Sequence, residues 1–296
     1  MSNFSSFQQL ADGIWAALAG VNAGIIDLGD QTLIFDTTSL PVSAYELKTK
    51  AEELTGRPAT FVINSHVHPD HIQGNIAFAD HATIVSSSIT RQAIAERGAT
   101  SLEAMKGDIR AGEESVRQRL AATTDEAERT RLQGVLKEYD EFFAAYPTPA
   151  DLRLPTLTFE RQMTFHGSKR TAHLMTFGGA HSPCDAVLWL PAEGILFVGD
   201  LVIPGDNLIV TLGQPANWLP ILDKLEALGA KRLVSGHGKP VDAAEGYAWA
   251  RQYLTDLFKR AEEVAASGEP VESIRVPEGL YPYWYRKNIQ SLIEKR

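Results

Sequence analysis

Apolar residues in the first third of the chain fall in short runs broken by glycine and aspartate. Ile14–Ala19, Ala23–Leu28 and Thr32–Phe35 are separated by Gly20, Gly29 and Asp30, which is hairpin punctuation and predicts three short strands. Pro41–Leu54 is charged and amphipathic, and predicts a first helix that stops at Gly56 and Pro58. Thr60–Ile63 predicts a buried strand, and a histidine-rich segment begins where it ends. Ala82–Ser86 predicts another strand, followed by a helix from about Ile89 to Arg97.

The stretch from Ser101 to Tyr146 has a different period. Leu102, Met105, Ile109, Val116 and Leu120 recur near helical spacing, as do Leu132, Val135, Leu136, Tyr139, Phe142 and Phe143. Charged residues fill the other faces, so two long helices broken near Thr123–Thr124 are expected. They read as a hairpin packed on the core, the alternatives being a lid or a homodimer contact. Strand patterns return at Leu157–Glu160, Met163–His166, Thr171–Thr176, Ala186–Leu190, Ile195–Val198 and Arg232–Ser235. Helices are predicted at Asn217–Leu228 and Ala243–Ala266. No repeat or linker divides the chain. The expectation is therefore one α/β domain over residues 1–296, with two sheets covered by helices on the outside. It carries a helical insertion at about 101–146 and a C-terminal helical extension at about 243–296.

Composition changes this picture little. The chain is 44% hydrophobic and 22% charged, ordinary for a globular protein. Its net charge of −9 argues against nucleic acid as a partner and leaves a small-molecule substrate as the expectation. Cys184 is the only cysteine, so no intramolecular disulfide can form. No Lys or Arg precedes Lys48, which lacks the basic start of a signal peptide, and no apolar stretch approaches the roughly 20 residues that span a bilayer. A cytoplasmic protein without membrane contact is expected.

The histidines change it more. His66, His68, Asp70 and His71 sit together in N-S-H-V-H-P-D-H, His181 follows Gly178-Gly179, Asp200 ends the apolar run I-L-F-V-G-D, and His237 lies in S-G-H-G. Imidazole and carboxylate suit a borderline cation such as zinc, and seven such ligands can hold two ions. His66 and His68, two apart in an extended turn, can grip one ion, while Asp70 and His71 face a second. Glycine beside each of the later three residues permits close backbone approach to a crowded centre. Two ions that share a hydroxide point to hydrolysis. No G-x-S-x-G elbow, P-loop or dinucleotide fingerprint competes with that reading.

In their order, H-x-H-x-D-H, G-G-x-H, V-G-D and G-H-G resemble the metallo-β-lactamase superfamily, together with D-G-I-W and L-I-F-D-T near the start. The resemblance implies a four-layer αβ/βα sandwich with a dinuclear site at one edge of its sheets. It implies that His66, His68 and His181 hold one metal, that Asp70, His71 and His237 hold the other, and that Asp200 bridges them. It implies two zinc ions per chain, with iron or manganese as alternatives, and a supporting role for Asp36. Asp70 would also act catalytically by orienting the attacking water. His68 stands where a redox branch of this fold uses Glu, and Asp200 where the best-known zinc β-lactamases have Cys. With His71, these features resemble the glyoxalase II and lactonase branches, so an ester, thioester, lactone or β-lactam bond is the expected target. The alternatives are a phosphodiester or alkyl sulfate ester, or a mononuclear iron oxygenase resembling the persulfide dioxygenases.

Other residues are read as structural. Cys184 is expected to be a packed thiol and Asp185 either to orient a ligand or to form a turn beside Pro183. His81, His166 and His173 lack ligand partners, Lys169 and Arg170 are expected to be solvated, and Tyr281, Tyr283, Trp284 and Tyr285 to cover the core or a subunit contact.

Overall fold

The computed structural model describes residues 4–295, and its strands form two mixed sheets. The first has seven strands in chain order: β1 (Ser6–Ala11), β2 (Ile14–Leu18), β3 (Ala23–Asp27), β4 (Thr32–Phe35), β5 (Phe61–Ile63), β6 (Thr83–Ser87) and β7 (Leu157–Phe159). Strands β1 to β4 are an antiparallel meander, and β4 to β7 are parallel. The second contains β8 (Gln162–His166), β9 (Thr171–Thr176), β10 (Ala186–Leu190), β11 (Ile195–Gly199), β12 (Arg232–Ser235) and β13 (Val241–Asp242) in the order β13-β12-β11-β10-β9-β8. Only its β11–β12 pair is parallel.

Strands β3, β4, β10 and β11 are buried at every position, which is why they read as continuous apolar runs without alternation. One face of each sheet meets the other sheet: Ile26, Leu33, Phe35 and Ile63 pack with Leu174, Leu188, Phe197 and Val234. The outer face of the first sheet is covered by α1 (Pro41–Thr55) through Ala44, Leu47 and Ala51. Its Pro41 starts the helix without an orphaned amide, and Gly56 ends it at φ 72. The outer face of the second sheet is covered by Trp218, Ile221, Leu254 and Leu257, among others, of the helices Trp218–Glu226 and Ala243–Ser267. Helix, sheet, sheet, helix is the expected four-layer order.

After β5 the chain forms α2 (Pro69–Ile72), and after β6 a long helical hairpin, α3 (Ser88–Ala122) and α4 (Glu126–Ala145). The hairpin breaks at Thr123–Asp125, beside the predicted Thr123–Thr124, but α3 is one helix where the pattern predicts two. Gly98 weakens its interior without breaking it, because no proline removes a backbone donor there. The foot of the hairpin packs on the body: Ala93 and Ile94 cluster with Val67 and Ile72, and the Tyr146 hydroxyl donates to the Leu102 carbonyl at 3.2 Å. After the helices named above, α5 (Trp218–Glu226) and α6 (Ala243–Ser267), the chain ends in α7 (Pro282–Glu294). Helices α3 and α7 meet where Tyr283 donates to Asp108 at 2.9 Å. Among the described residues no helix is long and apolar enough to cross a membrane.

Two local readings are corrected, and a third holds in part. The exposed edge strand β1 was not expected, because its polar sequence S-F-Q-Q-L-A lacks an apolar run. Arg170 is not solvated: its side chain is 7% exposed, pairs with Glu193 at 2.7 Å and donates to the carbonyls of Asp12 and Asp27. The four aromatic residues near the C-terminus divide, Tyr285 entering the core while Tyr281 and Tyr283 stay exposed.

Candidate metal centre

Strand β5 delivers the first motif to the sheet edge. His68 precedes α2 in extended conformation (φ −63, ψ 139), as a residue before proline must, and Pro69 begins the helix. His66 and His68 therefore share one face of extended backbone, while Asp70 and His71 occupy the first helical turn. His181 lies in the loop after β9, in a turn built by Asp185, whose carboxylate accepts the amides of Ala180 at 2.7 Å, His181 at 3.0 Å and Ser182 at 3.0 Å. Asp185 thus supports both readings offered for it. Asp200 follows β11, and His237 follows β12 and Gly236.

These loops bring all seven side chains together in two groups. His66, His68, His181 and Asp200 form one and Asp70, His71 and His237 the other, each with its ligand atoms within 4.8 Å of one another. Asp200 joins them: one of its oxygens lies 3.8 Å from His66 Nε2, 3.4 Å from His181 Nε2 and 3.4 Å from His237 Nε2. Its other oxygen lies 3.4 Å from His71 Nε2. Asp70 Oδ2 is 3.6 Å from His71 Nε2 and 3.5 Å from His237 Nε2. These gaps exceed a hydrogen bond, whereas bonds of about 2.0–2.2 Å in a tetrahedron put ligand atoms roughly 3.3–3.6 Å apart. Only His68 Nδ1 lies closer, at 3.1 Å from His66 Nε2 and 2.7 Å from His181 Nε2.

The far side of each ring sets which nitrogen is available. His181 Nδ1 lies 3.0 Å from the Ile209 carbonyl and His237 Nδ1 2.6 Å from the Gly20 carbonyl. A carbonyl oxygen only accepts, so both Nδ1 atoms carry hydrogen. His71 Nδ1 meets the Asp36 carboxylate at 2.9 Å. His66 Nδ1 meets Ser65 Oγ at 2.8 Å, and that hydroxyl donates to Asp36 at 2.7 Å, which leaves its oxygen to accept from the ring. In all four rings Nε2 faces the centre, and its lone pair is free when the ring is neutral. Asp36 holds two of these rings from a left-handed backbone (φ 61), and Thr38 close by is also left-handed (φ 69). Strain of this kind persists where surroundings over-determine it.

Electrostatics divide the groups. Burial, then repulsion from neighbouring imidazoles, holds His66 well below its usual range and brings His181 down to about 3. Burial likewise lowers His68, against the pull of Asp70 and Asp200. In His71 burial is outweighed by Asp200, Asp70 and Asp36, and in His237 by Asp200 and Asp70, which raises His237 to about 9. The carboxylates attract positive charge to this half of the centre. Asp200 is itself held well below its usual value, burial being outweighed by His71 and His237.

The donor set fits a metal. His71 Nε2 and Asp200 Oδ1 are fully buried, face each other across the centre and have no hydrogen-bond partner, a costly arrangement that a shared cation would satisfy. Gly236 is required by the same crowding, since a Cβ there would collide with Asp200 Oδ1 and sit 2.6 Å from His71 Cε1. Cys184 lies outside both groups, with its thiol 3.2 Å from Thr176 Oγ1, and burial pushes it up. Among the described residues His81, His166 and His173 join neither group.

Ser65 and Asn22 were not singled out from sequence. The Asn22 side chain donates to the carbonyls of Ser235 at 3.0 Å and Gly238 at 2.6 Å, so the β2–β3 turn grips the His237 loop. Nothing local signals this, because the partners lie more than 200 positions apart. Ser65 carried a signal, a hydroxyl directly beside the first ligand.

The sequence profile of the metallo-beta-lactamase superfamily matches residues 17–237. A linear primary-alkylsulfatase of a Pseudomonas species is 22% identical over 231 residues, 75% of this chain and 42% of that protein, so the chain matches less than half of that relative's length. Among solved structures, a metallo-beta-lactamase from Pontibacter korlensis has a TM-score of 0.60 at 17% identity, covering 85% of this chain and 99% of its own. A metallo-beta-lactamase from Pseudomonas aeruginosa in a mono-zinc form has a TM-score of 0.60 at 13% identity, covering 85% and 95%. One from Hirschia baltica has a TM-score of 0.55 at 16% identity, covering 83% and 97%.

Proposed function

The chain belongs to the metallo-beta-lactamase superfamily, and from that premise we propose that it is a metallo-hydrolase working with two cations, zinc by preference. The observation that carries this reading is the convergence of the two ligand groups on Asp200, with His71 Nε2 and Asp200 Oδ1 buried and otherwise unpartnered. His66, His68, His181 and Asp200 would hold one cation, and Asp70, His71, His237 and Asp200 the other. Iron or manganese suits the same nitrogen and oxygen donors. Bound there, the pair would supply an activated water at neutral pH and polarise the bond to be cleaved. The protein's part is to keep the nitrogens aimed through Asp36, Ser65 and the carbonyls of Gly20 and Ile209. Asp70, 17% exposed, lies on the open side, where its carboxylate can accept a hydrogen bond from the attacking water and orient it.

The substrate is a small molecule carrying a hydrolysable ester, thioester or amide bond. An ester, thioester, lactone or β-lactam is the first reading, and the match to an alkylsulfatase favours a sulfate ester as the second. The chain would act in the cytoplasm. A single-iron oxygenase is the opposing reading, and a full donor set for two cations weighs against it. The test is a panel of carboxylic ester, thioester, lactone, β-lactam, alkyl sulfate and phosphodiester probes on zinc-loaded protein, with metal content measured alongside. Hydrolysis of one class at two metal ions per chain is the expected result. One iron per chain, with oxygen consumed on a persulfide probe and no hydrolysis, would sink the proposal.

A further inference from the structure

A polar residue of the last helix lies one peptide away from the centre. Asn288, in α7, is fully buried in a molecule whose other α7 core residues, Tyr285 and Ile289, are apolar or aromatic. Its side-chain Oδ1 accepts the amide of Val210 at 3.0 Å, and its Nδ2 donates to the carbonyl of Leu208 at 2.8 Å. The side-chain amide therefore grips the main chain on both sides of Ile209. The carbonyl of Ile209 is the acceptor for His181 Nδ1. From the other direction, Tyr253 of α6 accepts from Asn288 Nδ2 at 3.1 Å and donates to Asn207 at 3.1 Å, and Lys295 donates to the carbonyls of Val210 and Thr211 at 2.9 Å each.

We infer that Asn288 is a positioning residue for His181: it fixes the 208–210 backbone so that the Ile209 carbonyl holds hydrogen on Nδ1 and leaves Nε2 toward the centre. Burying an amide in an apolar layer is unfavourable unless its hydrogen bonds are made, and here they are made to a loop with no regular structure of its own. A leucine at 288 would fill the space and pack α7, but it would leave Val210 N–H and Leu208 C=O without partners and the loop free to shift. Helix α7 would then act on the chemistry without touching it. The functional weight of this arm rests on the two-cation reading above, but its geometry can be tested without metal.

The experiment compares wild type, Asn288→Ala, Asn288→Asp and Tyr253→Phe, each with ¹⁵N-labelled histidine. Long-range ¹H–¹⁵N correlation on the metal-free full chain reports which His181 nitrogen carries hydrogen, with His181→Gln identifying the signal. Zinc affinity is then measured by chelator competition. Wild type is expected in the Nδ1–H form. Asn288→Ala is expected to populate the Nε2–H form and to weaken one of the two zinc sites by about tenfold or more, the range for an outer-shell partner, with the other site unchanged. Asn288→Asp keeps the acceptor for Val210 N–H and should fall between, and it decides the matter if Asn288→Ala fails to fold. Tyr253→Phe removes one support from Asn288 and one from Asn207 but leaves both Asn288 contacts to the 208–210 backbone, so its effect should be clearly smaller than that of Asn288→Ala. An unchanged His181 tautomer in the folded Asn288 variants overturns the inference, and so does an equal effect from Tyr253→Phe, which would mean general loosening of α6 and α7. A wild-type protein that binds no zinc would instead defeat the two-cation reading and leave the tautomer comparison to decide the role of Asn288.

Discussion

The two halves of the metal centre solve the same problem by different means. His66 and His181 are 1% exposed, and burial, helped by repulsion between neighbouring imidazoles, keeps them neutral, so their nitrogens are free to coordinate. The half with His71 and His237 is surrounded by Asp36, Asp70 and Asp200, and its side toward solvent leaves His237 27% exposed. Here protonation is favoured, so a cation entering this half displaces protons, while one entering the sealed half meets neutral rings. On the two-cation proposal the sealed half would bind the tighter, and the open half would admit substrate.

Removing the group common to both halves should have the largest effect. Asp200→Ala is expected to lower metal content from two ions to fewer than one per chain and to cut turnover of the best panel substrate more than a hundredfold, with the circular dichroism spectrum intact. Two ions per chain in that variant would break the comparison at its root. A sharper division comes from His68→Ala against His237→Ala, each expected to lose one ion, the first from the sealed half and the second from the open half. Cobalt substitution with spectra of each variant checks this, and loss of both ions in both variants would show that the halves are one indivisible site. Gly236→Ala should weaken cation binding by about 10–100-fold, because the added methyl meets Asp200 Oδ1 and the His71 ring. Isothermal titration would locate the loss in the open half.

The smallest effect is expected far from the centre. Asp27 accepts from Lys169 at 2.9 Å, from the Gly29 amide at 2.8 Å, and from Arg57 at 2.5 Å. Burial raises its carboxyl, but these partners outweigh it and hold the group below its ordinary value of 3.8. The stability it contributes is therefore present above that value and fades as pH falls through the lower folded one. Asp27→Asn should cost up to about 1 kcal/mol at pH 7, reduced by the exposure of Lys169, and nearly nothing near pH 2, with metal content unchanged. Thermal melts at the two pH values check the sign. A loss that grows as pH falls would contradict it.

Much of this protein is legible in its sequence. Strands β3, β4, β10 and β11 announce themselves as apolar runs because both faces are covered, and α1 is bracketed by Pro41 and Gly56. The ligand motif at 66–71 is local, so spacing alone shows how its side chains can share a face. Edge strand β1 was not legible, since a strand with one exposed side and few contacts leaves little trace in hydrophobicity. Nor was the continuity of α3 through Gly98, because one glycine lowers helix propensity without removing a backbone hydrogen bond.

What the linear order of residues determined by itself is therefore the chemistry on offer: which side chains can ligate, and which short segments become strand or helix. The tertiary structure alone decided how those side chains are aimed. Ile209 holding His181, Gly20 holding His237, and Asn288 and Asn22 steadying those loops are hydrogen bonds between segments remote in the chain. Such bonds depend on distance and angle after packing, and no periodicity records them, because any polar group placed there by the fold could serve.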